Sequence, residues 1–250
     1  MSTRDELYQA VLDQPDRDGP RLRYAAYLEK QGDELGEFIR LALDWNRQRP
    51  HHGPPDRPLN LYNKYIHVLR IPIDPWIVNC QLDRGLVAKV DMDGKAFVDH
   101  GHDVFIRAPI QHLNLVNAKP VFSEIMKSKV LLQVQTLSMA KNQLTDLEAE
   151  LLAASPNVGN LVYLDLFGNR IGEAGFEALT ASTILPKLKV LHLDYNKIES
   201  PVSRYSSDGY ITFYDGVGPI RAVLEKKYGL KAWMEPELNV DRFRICDAGV

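Results

Sequence analysis

Three segments of the chain superpose on one eleven-position template that is apolar at positions 1, 4, 6 and 11 and carries asparagine at position 9: Val134 to Leu144, Leu161 to Ile171 and Leu188 to Ile198. Their starts at 134, 161 and 188 give a period of 27 residues twice over. A fixed period of this size predicts an open stack of like units. The physical reason lies in the alternation. Apolar residues spaced by two along a short strand point to one side, where no single unit can enclose them. Stacking neighbours removes that surface from water, at roughly 25 cal/mol per Å². The asparagine ends each strand, and its amide is expected to satisfy backbone groups of the adjacent turn, which would otherwise be buried without partners. Asn142, Asn169 and Asn196 are therefore assigned a structural role.

Two weaker copies precede these three. Val87, Val90 and Met92 keep the apolar triad with Lys95 in place of asparagine, and Ile110, Leu113 and Leu115 keep it with Ala118 there. Five strands are expected, joined by helical segments over 96–106, 121–129, 146–154 and 173–183. The first fifty residues read differently, as three helices. Asp18 is placed to cap the second helix and Gly32 to stop it, with Leu22, Ala25, Ala26, Leu28 and Glu29 along its buried stripe. Prolines at 50, 54, 55 and 58 forbid both helix interior and sheet ladder, so a connector follows, then a short helix near Leu61 to Leu69. The expected organisation is a helical domain over 1–49, a connector over 50–82, repeats over 83–198 and a C-terminal cap over 199–250 that includes Trp233, Phe243 and Ile245.

Bulk composition limits the partners. With 30 basic and 33 acidic residues the net charge is -3, so the chain lacks the dominant basic face that a phosphate backbone requires, and nucleic acid is not expected. The start, Met1-Ser-Thr-Arg-Asp-Glu6, lacks the apolar core of a signal peptide, and no apolar run is long enough to span a bilayer. A cytoplasmic location without membrane contact is the expectation. Only Cys80 and Cys246 occur, in no C-x-x-C pairing, which excludes a disulfide framework and suits a reducing compartment.

Residues 15–43, running from Pro15-Asp-Arg-Asp-Gly-Pro-Arg-Leu-Arg-Tyr24 through Gly36-Glu-Phe-Ile-Arg40 to Leu43, closely resemble the bacterial repeat-companion domain. Its usual pattern is P-x-D-D-x-P-R-L-x-Y-A-D-W-L-E-E-x-G-D-x-x-G-E-F-I-R. Here Ala26 and Tyr27 stand at its Asp and Trp, and Arg17 replaces an acid. That module typically precedes leucine-rich repeats in proteins of planctomycetes and myxobacteria. Arg84-Gly-Leu-Val87 through Leu115 also looks like its lead into the first repeats. The resemblance implies an α/β leucine-rich-repeat solenoid of the ribonuclease-inhibitor-like kind, a right-handed β-α superhelix with a parallel concave sheet behind a small all-α companion domain. It implies architecture and no chemistry.

Few groups qualify for chemistry. His100-Gly-His102, flanked by Asp99 and Asp103, has helical spacing that turns the two imidazoles apart, which suits a solvated face better than a metal. Asp91-Met-Asp93-Gly94 lacks the later ligands of a calcium loop. Neither cysteine sits in a charged setting that would make a reactive thiol. No phosphate loop, nucleophile elbow or H-E-x-x-H occurs. No catalytic residue, cofactor or metal ligand is assigned.

The positions that the template leaves free carry the functional expectation. Template positions 3, 5 and 7 alternate with the buried apolar ones and face the concave side: Lys89, Asp91, Asp93; His112, Asn114, Val116; Thr136, Ser138, Ala140; Tyr163, Asp165, Phe167; Val190, His192, Asp194. The face is small and polar in the middle, and at its C-terminal end Tyr163, Phe167 and Tyr195 gather round Asp165, His192 and Asp194. Aromatics framed by charge have the composition of a binding hot spot. The reading is a non-enzymatic module that binds a protein partner on this face, with the acids favouring a basic segment and His192 making the contact pH-sensitive. A sharper form is an immunity or inhibitor protein that masks a toxin or enzyme. A thiol-dependent ligase or effector is the alternative of a different class.

Overall fold

The computed structural model describes residues 3–48, 56–197, 218–229 and 231. Residues 50–55 of the connector expected over 50–82, Ile198, Cys246 and most of the expected cap, including Trp233, Phe243 and Ile245, lie outside the described residues. The chain divides into two compact units, Met1–Met92 with Asp99–Leu113, and Asp93–Val98 with Asn114–Val250.

The first unit begins with helices α1 (Thr3–Asp13), α2 (Asp18–Lys30), α3 (Leu35–Gln48) and α4 (Asp56–Arg70). Helix α2 buries Arg21, Tyr24, Ala25 and Leu28. Those four follow the i, i+3, i+4, i+7 spacing of a single stripe. Ala26 and Glu29, expected on it, are exposed. Asp18 is the first helical residue rather than the cap, because its carboxylate is drawn aside by Arg47 (3.2 Å) and Arg84 (3.3 Å). The end is as expected. Gln31 caps α2, and the N–H of Asp33 bonds back to the Leu28 carbonyl at 2.9 Å. Around Leu28, Phe38, Ile39 and Leu61 the helices share one core with Leu86, in which Phe38 stacks on Tyr65 at 5.6 Å.

A strand that the repeat pattern does not reveal precedes the expected ones. Strand β1 (Asn79–Asp83) pairs antiparallel with β2 (Leu86–Asp93), so the sheet is not wholly parallel. Arg84 (φ 49°) and Gly85 (φ 79°) form the two-residue turn between them, and positive φ at both positions matches the right-handed twist of the strands. Gly85 is fixed by space as well: a Cβ there would lie 2.6 Å from Ile39 Cα. The Arg84 side chain turns back to Asp83, Gln111 and the carbonyls of Pro15 and Asp16. Arg21, fully buried, donates to the same Pro15 carbonyl at 2.8 Å.

Helix α5 (Gly94–Phe105) and strand β3 (His112–Val116) contribute residues to both units. The second unit continues with α6 (Phe122–Lys127), β4 (Thr136–Ser138), α7 (Asp146–Ala154), β5 (Tyr163–Asp165), α8 (Glu173–Ala181), β6 (Val190–His192) and α9 (Gly218–Tyr228). Strands β4, β5 and β6 are parallel, and the register aligns Thr136, Tyr163 and Val190, then Leu137, Leu164 and Leu191, then Ser138, Asp165 and His192. The 27-residue sequence offset is therefore also the sheet register. Leu137, Leu164 and Leu191 are at most 2% exposed. The α/β class holds, with six strands among the described residues where five were expected.

The asparagines form a ladder. Asn169 donates to the carbonyls of Met139 (2.9 Å) in the preceding repeat and Leu166 (2.9 Å) in its own, and its Oδ1 accepts from the N–H groups of Asn142 (2.9 Å) and Leu144 (3.0 Å). Asn142 and Asn196 repeat the pattern on either side. Where the weaker repeat has Ala118, Asn142 of the following repeat accepts its N–H at 2.7 Å. Asp146, in the first turn of α7, accepts from the N–H groups of Gly172 (2.6 Å) and Gly175 (3.1 Å) at the start of α8. Beyond the last strand, α9 buries Leu224, and Tyr228 donates to Glu177 of α8 at 2.8 Å.

Candidate functional site

Alternation along β5 and β6 sets the geometry. Leu164 and Leu191 turn into the core, so Tyr163, Asp165 and His192 emerge together on the opposite face. Val190 departs from that pattern and is only 9% exposed, so it adds nothing to the surface. The Oδ1 of Asp165 accepts from the Phe167 N–H (2.9 Å) and lies 3.1 Å from His192 Nδ1, while its Oδ2 accepts from the Ser138 hydroxyl (3.0 Å). On the other side of the ring, His192 Nε2 lies 3.0 Å from Asp194 Oδ2. One imidazole is thus held between two carboxylates, Asp165 at the end of β5 and Asp194 just after β6.

Its electrostatics follow. Burial disfavours the charged imidazole, but the hydrogen bonds to Asp165 and Asp194 outweigh it and raise the pKa of His192 to about 9. For Asp165 burial again opposes ionisation, and the bonds from His192, the Phe167 N–H and Ser138 hold the carboxyl below its usual range. His192 is therefore an imidazolium at neutral pH, with both nitrogens donating. It has no lone pair with which to take a proton, and the Ser138 hydroxyl is turned to Asp165 instead of to the ring. The ring is therefore placed to order the side chains around it rather than to take up a proton.

What it orders is aromatic. The Phe167 ring lies 5.3 Å from the His192 ring and 5.0 Å from that of Tyr195, the latter edge-on at 61°. Lys141 Nζ sits 5.7 Å from the Phe167 centroid, within cation–π range. Tyr195 is 67% exposed and its backbone has φ 58°. The same left-handed geometry recurs one residue before each turn asparagine, at Lys141 (φ 57°) and Gly168 (φ 65°), and at Asn117 (φ 52°) before Ala118. The template did not include this position. Gly168 in the central repeat was its sequence signal. All six expected partner-binding residues, Tyr163, Asp165, Phe167, His192, Asp194 and Tyr195, belong to the second unit, and five of them form one contact network. Tyr163 lies beside that network, between Thr136 and Val190 in the register.

Elsewhere the declined groups serve packing. His100 stacks on Trp76 at 5.3 Å. Cys80 is buried and its thiol is pushed up by that burial, the opposite of an activated nucleophile. No described helix is long and apolar enough to cross a membrane.

Residues 160–179 match a family model described as Leucine Rich repeat. The chain carries leucine-rich-repeat sequence. The matched segment holds Tyr163, Asp165, Phe167 and Asn169, and so includes one of the two carboxylates that flank His192. No curated protein matches the chain.

Proposed function

We propose that this protein is a non-enzymatic interaction module that binds a protein partner at the C-terminal end of the repeat sheet, on Phe167, Tyr195 and the His192 clamp. One observation carries the reading. A large aromatic, Tyr195, is presented to solvent from a backbone conformation that favours glycine, against Phe167, which is held by an imidazolium between two carboxylates. Rigid, partly exposed aromatics in a pre-organised setting lose little entropy on binding and dominate interface energetics. Repeat stacks expose such positions side by side on an extended face, which suits a protein better than a small molecule. In this reading the helices of residues 3–48 are a repeat-companion domain attached to the repeats.

Affinity capture from native lysate with wild-type chain and with Phe167→Ala/Tyr195→Ala tests it. A partner retained by the wild type and lost by the variant, with unchanged circular dichroism, is the expected result. Equal retention by both places the binding surface elsewhere.

A further inference from the structure

The charge that remains available at this end of the sheet is positive. Asp165 and Asp194, which read in sequence as a lure for a basic partner, are mostly buried, with side chains 19% and 16% exposed, and both are engaged by His192. Asp165 has in addition accepted the Ser138 hydroxyl and the Phe167 N–H. A basic side chain arriving there would have to displace an imidazolium from a partly desolvated site. The exposed cations are in the opposite condition. Lys141, Arg170 and Lys197 are exposed on successive turns of the asparagine ladder, and none makes an ion pair among the described residues. Lys141 has only the face of Phe167.

Their alignment comes from the repeat itself. Arg170 and Lys197 occupy the same template position, one residue after Asn169 and Asn196. Backbone bonds from Arg170 N to Leu144 O (2.7 Å) and from Lys197 N to Ile171 O (2.8 Å) stack these turns, so the repeat spacing is about 5 Å, as in a parallel sheet. Lys141 and Tyr195 occupy the left-handed position just before the asparagine. The exposed cations thus flank the ladder asparagines on successive turns, Lys141 against Phe167 and Lys197 two residues after Tyr195, and no ion pair among the described residues neutralises them.

We infer that this turn edge receives an acidic segment of a protein partner, with an aspartate or glutamate run along Lys141, Arg170 and Lys197 and an apolar side chain against Phe167 and Tyr195. The inference rests on the reading of this end of the sheet as the partner site, and it reverses the charge that the sequence suggested for that partner. Complementary charge at an exposed rim acts chiefly on the rate of association and is screened by salt, whereas the aromatic contact sets the lifetime of the complex.

A displayed library of random peptides, selected on the full chain at low salt, supplies the probe. Enriched peptides are expected to be acidic with an aromatic or aliphatic anchor, to bind roughly tenfold more weakly to Lys141→Glu/Arg170→Glu/Lys197→Glu, and to lose affinity as salt rises. The corresponding triple glutamine variant gives an intermediate loss and guards against damage from the added charge. Enriched peptides that are basic or neutral, and that need Tyr195 but ignore the charge reversal, overturn the acidic-partner inference and leave the aromatic site standing. Peptides that bind Phe167→Ala/Tyr195→Ala as well as wild type overturn the site itself. A selection that enriches nothing over an unrelated control protein overturns both.

Discussion

Tyr195 separates stability from function at a single residue. A left-handed backbone costs a non-glycine residue roughly 1 kcal/mol, and the equivalent position one repeat earlier is Gly168. Tyr195→Gly is expected to leave the thermal midpoint unchanged or raise it, while partner capture falls; a variant that unfolds would show that the ring is a packing residue. The asparagines behave in the opposite way. Asn169→Ala strips two carbonyls and two N–H groups of their partners inside a buried turn, so a loss of about 3 kcal/mol or more in urea unfolding is expected, with the surface of the site otherwise intact. At this scale the asparagines were legible because a spacing of 27 leaves one polar residue at a fixed place among apolar ones. The saturation of Asp165 was not, since template positions give the face a side chain occupies and not the partners it finds there. Arg21 shows the same limit: no pattern announces a fully buried guanidinium whose Nε and Nη1 atoms have no partner.

Elements in the second unit are finished by their neighbours. Helix α7 starts with its own capping box, Thr145 with Glu148, but α8 has Gly172 at its N-cap and takes its acceptor from Asp146 of α7. Asp146→Ala is expected to cost about 1 kcal/mol and to show it locally. Hydrogen exchange would speed up at the first turn of α8 and hold steady in α7; equal loss in both would mean that the carboxylate supports the stack in general. The helices over 146–154 and 173–181 were legible because apolar spacing and a flanking capping residue or glycine bracket them. Strand β1 was not. It has five residues and a bulge between Gln81 and Leu82, which breaks the alternation that marks a strand, and the only local signal is the Arg84-Gly85 turn after it. Half of an antiparallel pair also falls outside any pattern built on parallel repeats.

For the whole molecule, two histidines bound the pH range of stability from opposite sides. His192 has its pKa raised from 6.5 to about 9, so the folded chain holds its proton longer than the unfolded chain does. The stability it contributes is complete below pH 6.5 and is lost as pH rises through about 9, an effect on the order of 3 kcal/mol. In the first unit His112 is the reverse: burial pushes it down to about 4, and its buried Nδ1 has no partner. The unfolded chain binds a proton there first, so stability is lost as pH falls from 6.5 towards 4. The two windows meet near neutrality. Urea unfolding as a function of pH should therefore give a plateau near pH 6.5 that declines on both sides. His192→Gln is expected to lower the plateau and flatten only the alkaline decline, and His112→Gln to flatten only the acid one. An alkaline decline that survives His192→Gln would remove the imidazolium clamp from the account. Over the same interval the clamp keeps its charge, so the pH sensitivity expected of His192 from sequence moves from the mildly acid range to the alkaline one, and binding at Phe167 and Tyr195 should be level between pH 5 and 7.5, well below the pKa of about 9.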